Sequence, residues 1–343
     1  MLIIEKILVV GPSWVGDMVM AQSLFKLLRL RFTDCEIHVL APGWSEPILA
    51  RMPEVTKTLV LPFGHGQFSL AGRWKLGRSL VNEGFTQAIV LPRSWKSALV
   101  PFAAKIPVRI GFLGEQRYGL LNDRRVLDKK LLDQTVKRYT ALGLAAHETF
   151  TPEKVNFPKL EVDVAHQQAV FKSLGLSDKP TIALMPGAEY GPAKQWPLAY
   201  FRELAEKLVA AGKQVWILGG AKDATAGAEI AASGLPELYN LCGKTQLADV
   251  VDLLAAAEAA VTNDSGLMHV AAAVGTKVHG IYGSSSPAYT PPLTTDKQIH
   301  YLALDCSPCF KRTCPLGHTN CLKQIGVEKV MESVLLNKLI NKG

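Results

Sequence analysis

"KILVVGPSWVGDMVM" (residues 6–20) joins a strand-like run, Ile7 to Val10, to a turn holding Gly11 and Gly16, and then to an acid, Asp17. Apolar residues at helical spacing follow over 17–32, so the stretch reads as strand, glycine turn and helix. Two nucleotide-binding signatures open this way, and neither is completed here. A P-loop has the same two glycines but continues with Lys and Ser/Thr, which hold phosphates and Mg²⁺. A dinucleotide site needs G-x-G-x-x-G, which is absent. A carboxylate stands where a phosphate-gripping cation would be. Taken alone, Asp17 also fits a helix cap.

The same alternation continues outward. Strand-like runs recur at 36–40, 57–61, 87–91 and 108–111, with a second helix over 71–83. The pattern then restarts. A strand at 180–187 precedes a helix at 196–212 closed by Gly212, and a strand at 213–220 ends in two glycines. An amphipathic helix (245–260), a strand running into a turn (260–266), a helix (267–275) and a last strand (277–283) complete the series. Apolar strands interleaved with helices indicate parallel sheets covered on both faces. Pro152, Pro158 and Pro180 punctuate a polar boundary near 155–178. The expected fold class is α/β with two doubly wound domains. The expected domains are 1–165 and 178–325, with a C-terminal helix at 326–343 packing back on the first. Ligands of such folds sit at the C-terminal ends of the strands.

The totals agree with two domains. The chain has 343 residues, 48% hydrophobic and 20% charged, too long for one ordinary core and too apolar for a disordered chain. No signal peptide is recognisable, since Glu5 and Lys6 interrupt the apolar start. No uncharged apolar stretch approaches 18 residues, so the expected compartment is the cytosol. The net charge of +8 is uneven: residues 1–160 carry 22 Lys+Arg against 13 Asp+Glu, whereas 161–343 carry 16 against 17. A basic first half suits an anionic partner such as nucleic acid, a phospholipid surface or a phosphorylated glycan. Within it, "RWKLGRSLV" (73–81) reads either as a basic amphipathic helix on a membrane or as a plain sheet-covering helix.

In the second half, "MPGAEYGPAKQWP" (185–197) has Gly187 and Gly191 for a tight loop, then Lys194, then a helix start. A lysine at a loop-to-helix junction is placed to meet a phosphate, although a surface lysine would look the same. "TNDSGLMHVAAAVG" (262–275) reads as a turn and N-cap. Asp264 or Ser265 caps, free N–H groups follow at Ser265, Gly266 and Leu267, and His269 lies one turn in. A helix N-terminus with glycine at the close approach is a diphosphate seat. An ordinary cap beside a core histidine has the same sequence.

Together these pieces resemble a known family. "GPSWVGDMVM", "RMPEV" (51–55), "KSALVPF" (96–102), "RYGLLND" (117–123), "PGAEYGPAKQWP", "TNDSGLMHVAAAVG" and "YGSSSPAYTPPL" are similar, in order and over nearly the full length, to the ADP-heptose:lipopolysaccharide heptosyltransferases of glycosyltransferase family 9, and within them to heptosyltransferase II. The resemblance implies a GT-B fold, two Rossmann-like domains facing a central cleft. The first would bind the acceptor and the second the nucleotide sugar. It implies inverting transfer of L-glycero-D-manno-heptose from ADP-heptose to the first heptose of the inner core, a lipid-anchored Kdo/heptose lipid A acceptor at the inner face of the membrane. Asp17 matches the family's base. Inversion by single displacement needs such a base beside the acceptor hydroxyl. Lys194 matches the lysine that meets the diphosphate, Ser265, Gly266 and His269 the turn that holds diphosphate and sugar, and Asp264 an Asp on the heptose hydroxyls. Gly187, Glu189, Gly220, Lys222 and Thr245 complete the donor side, with adenine and ribose between Gly219-Gly220 and Thr245. Gly16, Arg93, Lys96 and Arg117 fall to the acceptor side, among segments that also hold Arg109, Arg124 and Arg125. No D-x-D motif is present, in keeping with a metal-independent reaction that replaces the ion by charge-assisted contacts and a helix dipole.

Cys306, Cys309, Cys314 and Cys321 form C-x₂-C-x₄-C-x₆-C around His318. Four thiols this close in a cytosolic protein suggest a structural metal such as zinc, an Fe–S ligand set, or simply reduced thiols. Catalysis is not expected to depend on them. Cys35 and Cys242 are expected in the core. Other readings stay open on sequence alone: a GT-B transferase or sugar-nucleotide epimerase using another nucleotide, or a nucleic-acid-binding protein. Against the last, the aromatics of 1–160 form no stacking ladder. An NAD enzyme lacks its glycine fingerprint.

Overall fold

The computed structural model describes residues 4–64 and 67–336, and the chain divides between Lys159 and Leu160 into two units. The first runs β1 (Lys6–Val10), α1 (Val15–Arg31), β2 (Glu36–Ala41), α2 (Glu46–Leu49), β3 (Lys57–Val60), α3 (Leu70–Ser79), β4 (Gln87–Val90), α4 (Leu99–Ala103), β5 (Val108–Phe112), β6 (Asp123–Arg125) and α5 (Thr135–Leu142). Its sheet has the order β3-β2-β1-β4-β5-β6, parallel throughout. Ile7, Leu8 and Val9 are fully buried, as expected of a central parallel strand covered on both faces. α1 is buried almost all round from Met18 to Leu28. Its polar Gln22 and Ser23 are buried too, because the segment 156–159 returns over them. Gln22 Nε2 donates to Lys159 O (2.8 Å), Lys159 N donates to Gln22 Oε1 (2.8 Å), and Ser23 Oγ donates to Asn156 O (2.5 Å).

The second unit runs α6 (Val164–Leu174), β7 (Thr181–Met185), α7 (Leu198–Ala210), β8 (Gln214–Ile217), α8 (Ala224–Ile230), β9 (Leu238–Asn240), α9 (Leu247–Ala256), β10 (Ala259–Asn263), α10 (Gly266–Ala273), β11 (Lys277–Ile281), β12 (Lys297–His300), α11 (Asn320–Lys323) and α12 (Val327–Leu335). Its sheet order, β12-β11-β10-β7-β8-β9, repeats that of the first unit, again parallel. In each sheet the first and fourth strands of the unit are neighbours. That is the doubly wound order whose topological switch point opens at the C-terminal strand ends. Trp196, Phe201, Leu204, Ile217 and Ile281 centre the second core.

Two expectations change. Residues 277–283 hold β11, but β12 follows it, so they are not the last strand. β6, β9 and β12 escaped the sequence reading because edge strands are short and half-exposed, so they carry no apolar run. The polar boundary at 155–178 contains α6, which belongs to the second unit. Asp163 caps it by accepting from His166 N, and buried Asp252 of α9 accepts from Asp163 N (3.0 Å) and pairs with His166 Nδ1 (2.7 Å). Of the expected C-terminal segment 326–343, Val327–Leu335 form α12, whose Val327, Val330 and Val334 enter the second core against α7. Residues 337–343 lie outside the described residues. Among the described residues, no helix is long and apolar enough to cross a membrane.

α3 and α4 meet at Gly77. A Cβ there would stand 2.5 Å from both Val100 O and Ala103 Cβ, so the helices approach only because the side chain is missing. Gly77→Ala is expected to destabilise the protein by about 1–3 kcal/mol, seen as a lower urea midpoint. An unchanged midpoint would mean that α3 slides freely on α4.

The second unit also hides histidines. Burial, then the neighbouring His300, holds His279 at about 3, and burial holds His300 and His269 at about 4. Ser333 Oγ of α12 lies between His279 Nδ1 (3.1 Å) and His300 Nε2 (3.3 Å). All three rings are neutral near pH 7. In the unfolded chain they take a proton near pH 6.5. Their contribution to stability is therefore intact above about pH 6.5 and is lost as pH falls toward about 4. Thermal unfolding should move to lower temperature between pH 7 and pH 4.5, with a shallower slope in His279→Gln. An unaltered slope in that variant would remove His279 from the account.

Candidate functional site

In the second unit the strand ends gather the donor-side residues. The loop after β7 carries Gly187, Glu189, Tyr190 and Lys194, and the turn after β10 carries Asp264 and Ser265. Asn263 ties the two together: its Oδ1 accepts from Trp196 N (2.9 Å) and its Nδ2 donates to Pro186 O (2.7 Å). Lys194 Nζ then meets Asp264 Oδ2 at 2.5 Å, with side-chain exposures of 18% and 5%. Thr290 Oγ1 donates to Asp264 Oδ1 (3.4 Å). Lys194 Nζ also lies 5.1 Å from the centre of the Tyr190 ring, and Arg312 Cζ lies 5.3 Å from it. Removing one member of a buried pair strands the other charge. Lys194 is thus a largely buried cation whose charge is held by a single carboxylate.

α10 begins beside this pair. Ser265 is its N-cap and makes no side-chain cap bond, so the first-turn amides of α10 are not satisfied by their own cap. Gly266 opens the helix, and His269 is its fourth residue, 5% exposed, with Nδ1 lacking a partner. Burial first holds its pKa at about 4. His269 is therefore a neutral hydrogen-bonding group at this seat rather than a second cation.

The β7 and β8 ends are packed by an acid that the sequence reading missed. Asp223 accepts from Gly220 N (2.9 Å). Its carboxylate lies 2.8 Å from where a Cβ on Gly187 or on Gly219 would be. These glycines let two strand ends close on one carboxyl, whose pKa burial pushes up. The signal was present: a strand-end glycine with an acid three residues on has capping-box spacing. Gly243 N donates to Gly219 O (3.0 Å), which brings the segment with Thr245 to the β8 end. Thr245 Oγ1 is buried and has no hydrogen-bond partner. Lys222 and Glu189 pair with each other at 3.4 Å on the exposed surface.

In the first unit, Asp17 is the third residue of α1 and half-buried, and Gly16 before it is buried. The N-cap is Trp14, so Asp17 is not the capping residue. It sits beyond β1, at the same sheet edge as Arg93 and Lys96 beyond β4, since Val10 pairs with Val90. Arg93 is exposed, and its Nη2 donates to Leu113 O (3.4 Å); Lys96 Nζ donates to Gln67 O (3.3 Å). Arg117 is a correction. It is 0% exposed, and its guanidinium donates to Pro92 O (2.7 Å), Ser97 Oγ (3.3 Å) and Phe112 O. Burial, then Arg93, lowers its pKa to about 10. It braces the ends of β4 and β5 and has no face to offer an acceptor. Arg109 donates to Leu120 O and Ile106 O, and Arg125 to Ala141 O and Leu144 O, while Arg124 lies over Tyr118.

The six cysteines are free thiols. Cys306, Cys309, Cys314 and Cys321 line one small cavity with His318. Among the described residues no three His, Cys, Asp or Glu side chains are set to hold a metal ion. Burial pushes Cys242 up to about 12 and raises Cys35 and Cys321, whereas backbone N–H groups, that of Thr319 foremost, lower Cys314. Cys35 and Cys242 lie in the core as expected.

Comparison with known proteins agrees with this arrangement. The family description "Glycosyltransferase family 9 (heptosyltransferase)" matches residues 73–320. Lipopolysaccharide heptosyltransferase 2 of Escherichia coli K12 is 45% identical over 344 residues, with 98% of each chain covered. The solved structure of E. coli ADP-heptose LPS heptosyltransferase II superposes with a TM-score of 0.87 at 43% identity, covering 97% of this chain and 99% of that one. E. coli heptosyltransferase WaaC with ADP shares the fold at 17% identity, with a TM-score of 0.68, 96% of this chain and 99% of that one covered. Two Rossmann-type units of matching order and these likenesses lead to one conclusion: the chain belongs to glycosyltransferase family 9, the heptosyltransferases.

Proposed function

We propose that this glycosyltransferase moves L-glycero-D-manno-heptose from ADP-heptose to the first heptose of the lipopolysaccharide inner core, with inversion and without a metal ion. The observation that carries this reading is the seat at the β7 and β10 ends: Lys194, 2.5 Å from Asp264, beside the N-terminus of α10. Breaking the sugar–phosphate bond leaves charge on the ADP diphosphate. A desolvated lysine and a helix N-terminus stabilise that charge, with no reorganisation needed at the moment of reaction. Lys194 exchanges Asp264 for the phosphate oxygens as ADP-heptose binds, before that bond breaks, and the released Asp264 carboxylate accepts from heptose hydroxyls. Neutral His269 supplies a hydrogen bond, and Thr245 with the Gly219-Gly220 edge takes the nucleoside.

Asp17 acts from the acceptor unit. It takes the proton of the attacking hydroxyl as that oxygen bonds to the anomeric carbon and the ADP oxygen leaves, so one bond forms as another breaks. Arg93 and Lys96, at the same sheet edge, meet the anionic groups of the Kdo/heptose lipid A acceptor, so the enzyme works at the cytoplasmic face of the inner membrane. Transfer assayed with purified protein, ADP-heptose and a truncated inner-core acceptor tests the whole reading. No transfer under these conditions would refute it.

Asp17→Asn should bind ADP as the parent does and lose about 10²–10⁴-fold in turnover; near-parental turnover would exclude Asp17 as the base. Lys194→Ala should weaken ADP binding by about tenfold and lower turnover as well. Thermal-shift titration should show stabilisation by ADP and none by UDP or GDP, and the reverse preference would end the adenine assignment.

A further inference from the structure

The first unit has an exposed apolar groove that the transfer chemistry leaves unused. It lies between α3 and α4, has a volume of about 670 Å³, and is lined by Leu70, Trp74, Trp95, Leu99, Phe102 and Leu120. Trp74 is 46% exposed, Leu70 45% and Phe102 36%. The Trp74 and Phe102 rings lie 6.1 Å apart, and Phe68, also exposed, stacks on Trp95 at 6.3 Å. α3 is anchored from beneath. Leu76 and Leu80 join the sheet core, Gly77 meets α4, and Arg73 is buried, donating to Phe68 O (2.9 Å) and Gln67 O (3.2 Å). The sheet-covering reading of 73–81 thus holds, and one face of the same helix still points Trp74, Lys75 and Arg78 outward. Contiguous apolar surface of this kind marks an interaction site.

Charge decides between occupants. Between Gln67 and Ile110 the bases are Arg73, Lys75, Arg78, Arg93, Lys96, Lys105 and Arg109, and the one acid is Glu83, which is engaged by Lys6 Nζ at 3.4 Å. Lys75 lines the groove itself. Lys105 is exposed three residues after Phe102, and the Arg109 guanidinium lies 5.6 Å from the Phe102 ring centre. Glu115, beyond that span, accepts from Trp95 N (2.6 Å), so the rim is predominantly rather than wholly basic, and aromatic rings at mid-exposure inside it match the headgroup–acyl boundary of an anionic bilayer. Position adds a second argument. Trp95 lines the groove two residues after Arg93, at the sheet edge where Asp17 also sits. An acceptor sugar tethered by lipid A is reached only by a site held close to the lipid surface.

We propose that the α3–α4 groove is the membrane-docking face of this enzyme, with Trp74 and Phe102 inserted at headgroup depth and Lys75, Arg78, Lys96 and Lys105 on anionic phospholipid. The proposal rests on the functional reading above for its purpose, but its test does not need that reading. Purified protein is floated with vesicles of phosphatidylethanolamine and phosphatidylglycerol, and with neutral phosphatidylcholine vesicles, at low and high salt. The parent should float with the anionic vesicles, far less with neutral ones, and less at high salt. Trp74→Glu and Phe102→Glu together should lower bound protein at least tenfold while thermal stabilisation by ADP persists, which shows that the chain is folded. Trp44→Glu, at another exposed tryptophan, should float as the parent does. Equal flotation of the double variant, equal loss in Trp44→Glu, or a change of oligomeric state in place of vesicle release would overturn the proposal. Transfer to a water-soluble, deacylated acceptor should persist in the double variant and fall about tenfold only with acceptor embedded in vesicles. Parental flotation without any heptose transfer would refute the functional reading and leave the docking face standing.

Discussion

Every candidate residue in this protein is placed by one constraint, the parallel pairing of the first and fourth strands in each unit. Val10 pairs with Val90, and Thr262 with Met185. The chain winds outward in opposite directions from that junction, so the loops after the two paired strands part and leave an open edge. Asp17 and Arg93 flank that edge in the first unit, and Lys194 and Asp264 flank it in the second. The local devices act within this frame. Asn263 fastens the Lys194 loop to β10, and glycines let neighbouring backbone close around Asp223.

The structure sorts basic residues by what satisfies them. Arg117, Arg109 and Arg125 give their protons largely to backbone carbonyls, which cannot move away without unfolding a loop. Such side chains are braces. Lys194 is held instead by Asp264, a carboxylate able to exchange partners. A desolvated ammonium on an exchangeable partner is the arrangement expected of a group that must wait, charged and aimed, for an anionic ligand. The exposed bases Lys75 and Arg78 of α3, with Lys105 just beyond α4, form a third class, with no buried partner and an aromatic floor between them.

The cysteine-rich segment has a structural role of its own. Its Arg312 carbonyl accepts from Ala193 N (3.0 Å), its Phe310 N donates to Ser284 O (2.7 Å), and Tyr190 Oη donates to Phe310 O (2.8 Å). Gly191, at φ +148°, has that Arg312 carbonyl 2.6 Å from where a Cβ would be. The segment is a prop for the Lys194 loop, and a side chain at 191 would push the two apart.

Much of this was legible along the chain. Central strands announced themselves as apolar runs, because both of their faces are covered, and strand-end glycines marked the loops that carry Asp17, Lys194 and Asp264. The motif order also disclosed the family. The sequence could not place α6, β6, β9 and β12, since polar and half-exposed elements have no period to read. Nor could it separate Arg117 from Arg93: two arginines look alike until packing decides which is walled in and which faces water. Asp223, the pairing of Lys194 with Asp264 and the aromatic groove all join residues far apart in the chain. Composition and spacing determined what kinds of groups were present and which local turns carried them. Tertiary structure alone decided their partners, because burial and charge pairing depend on distances through space that no linear pattern records.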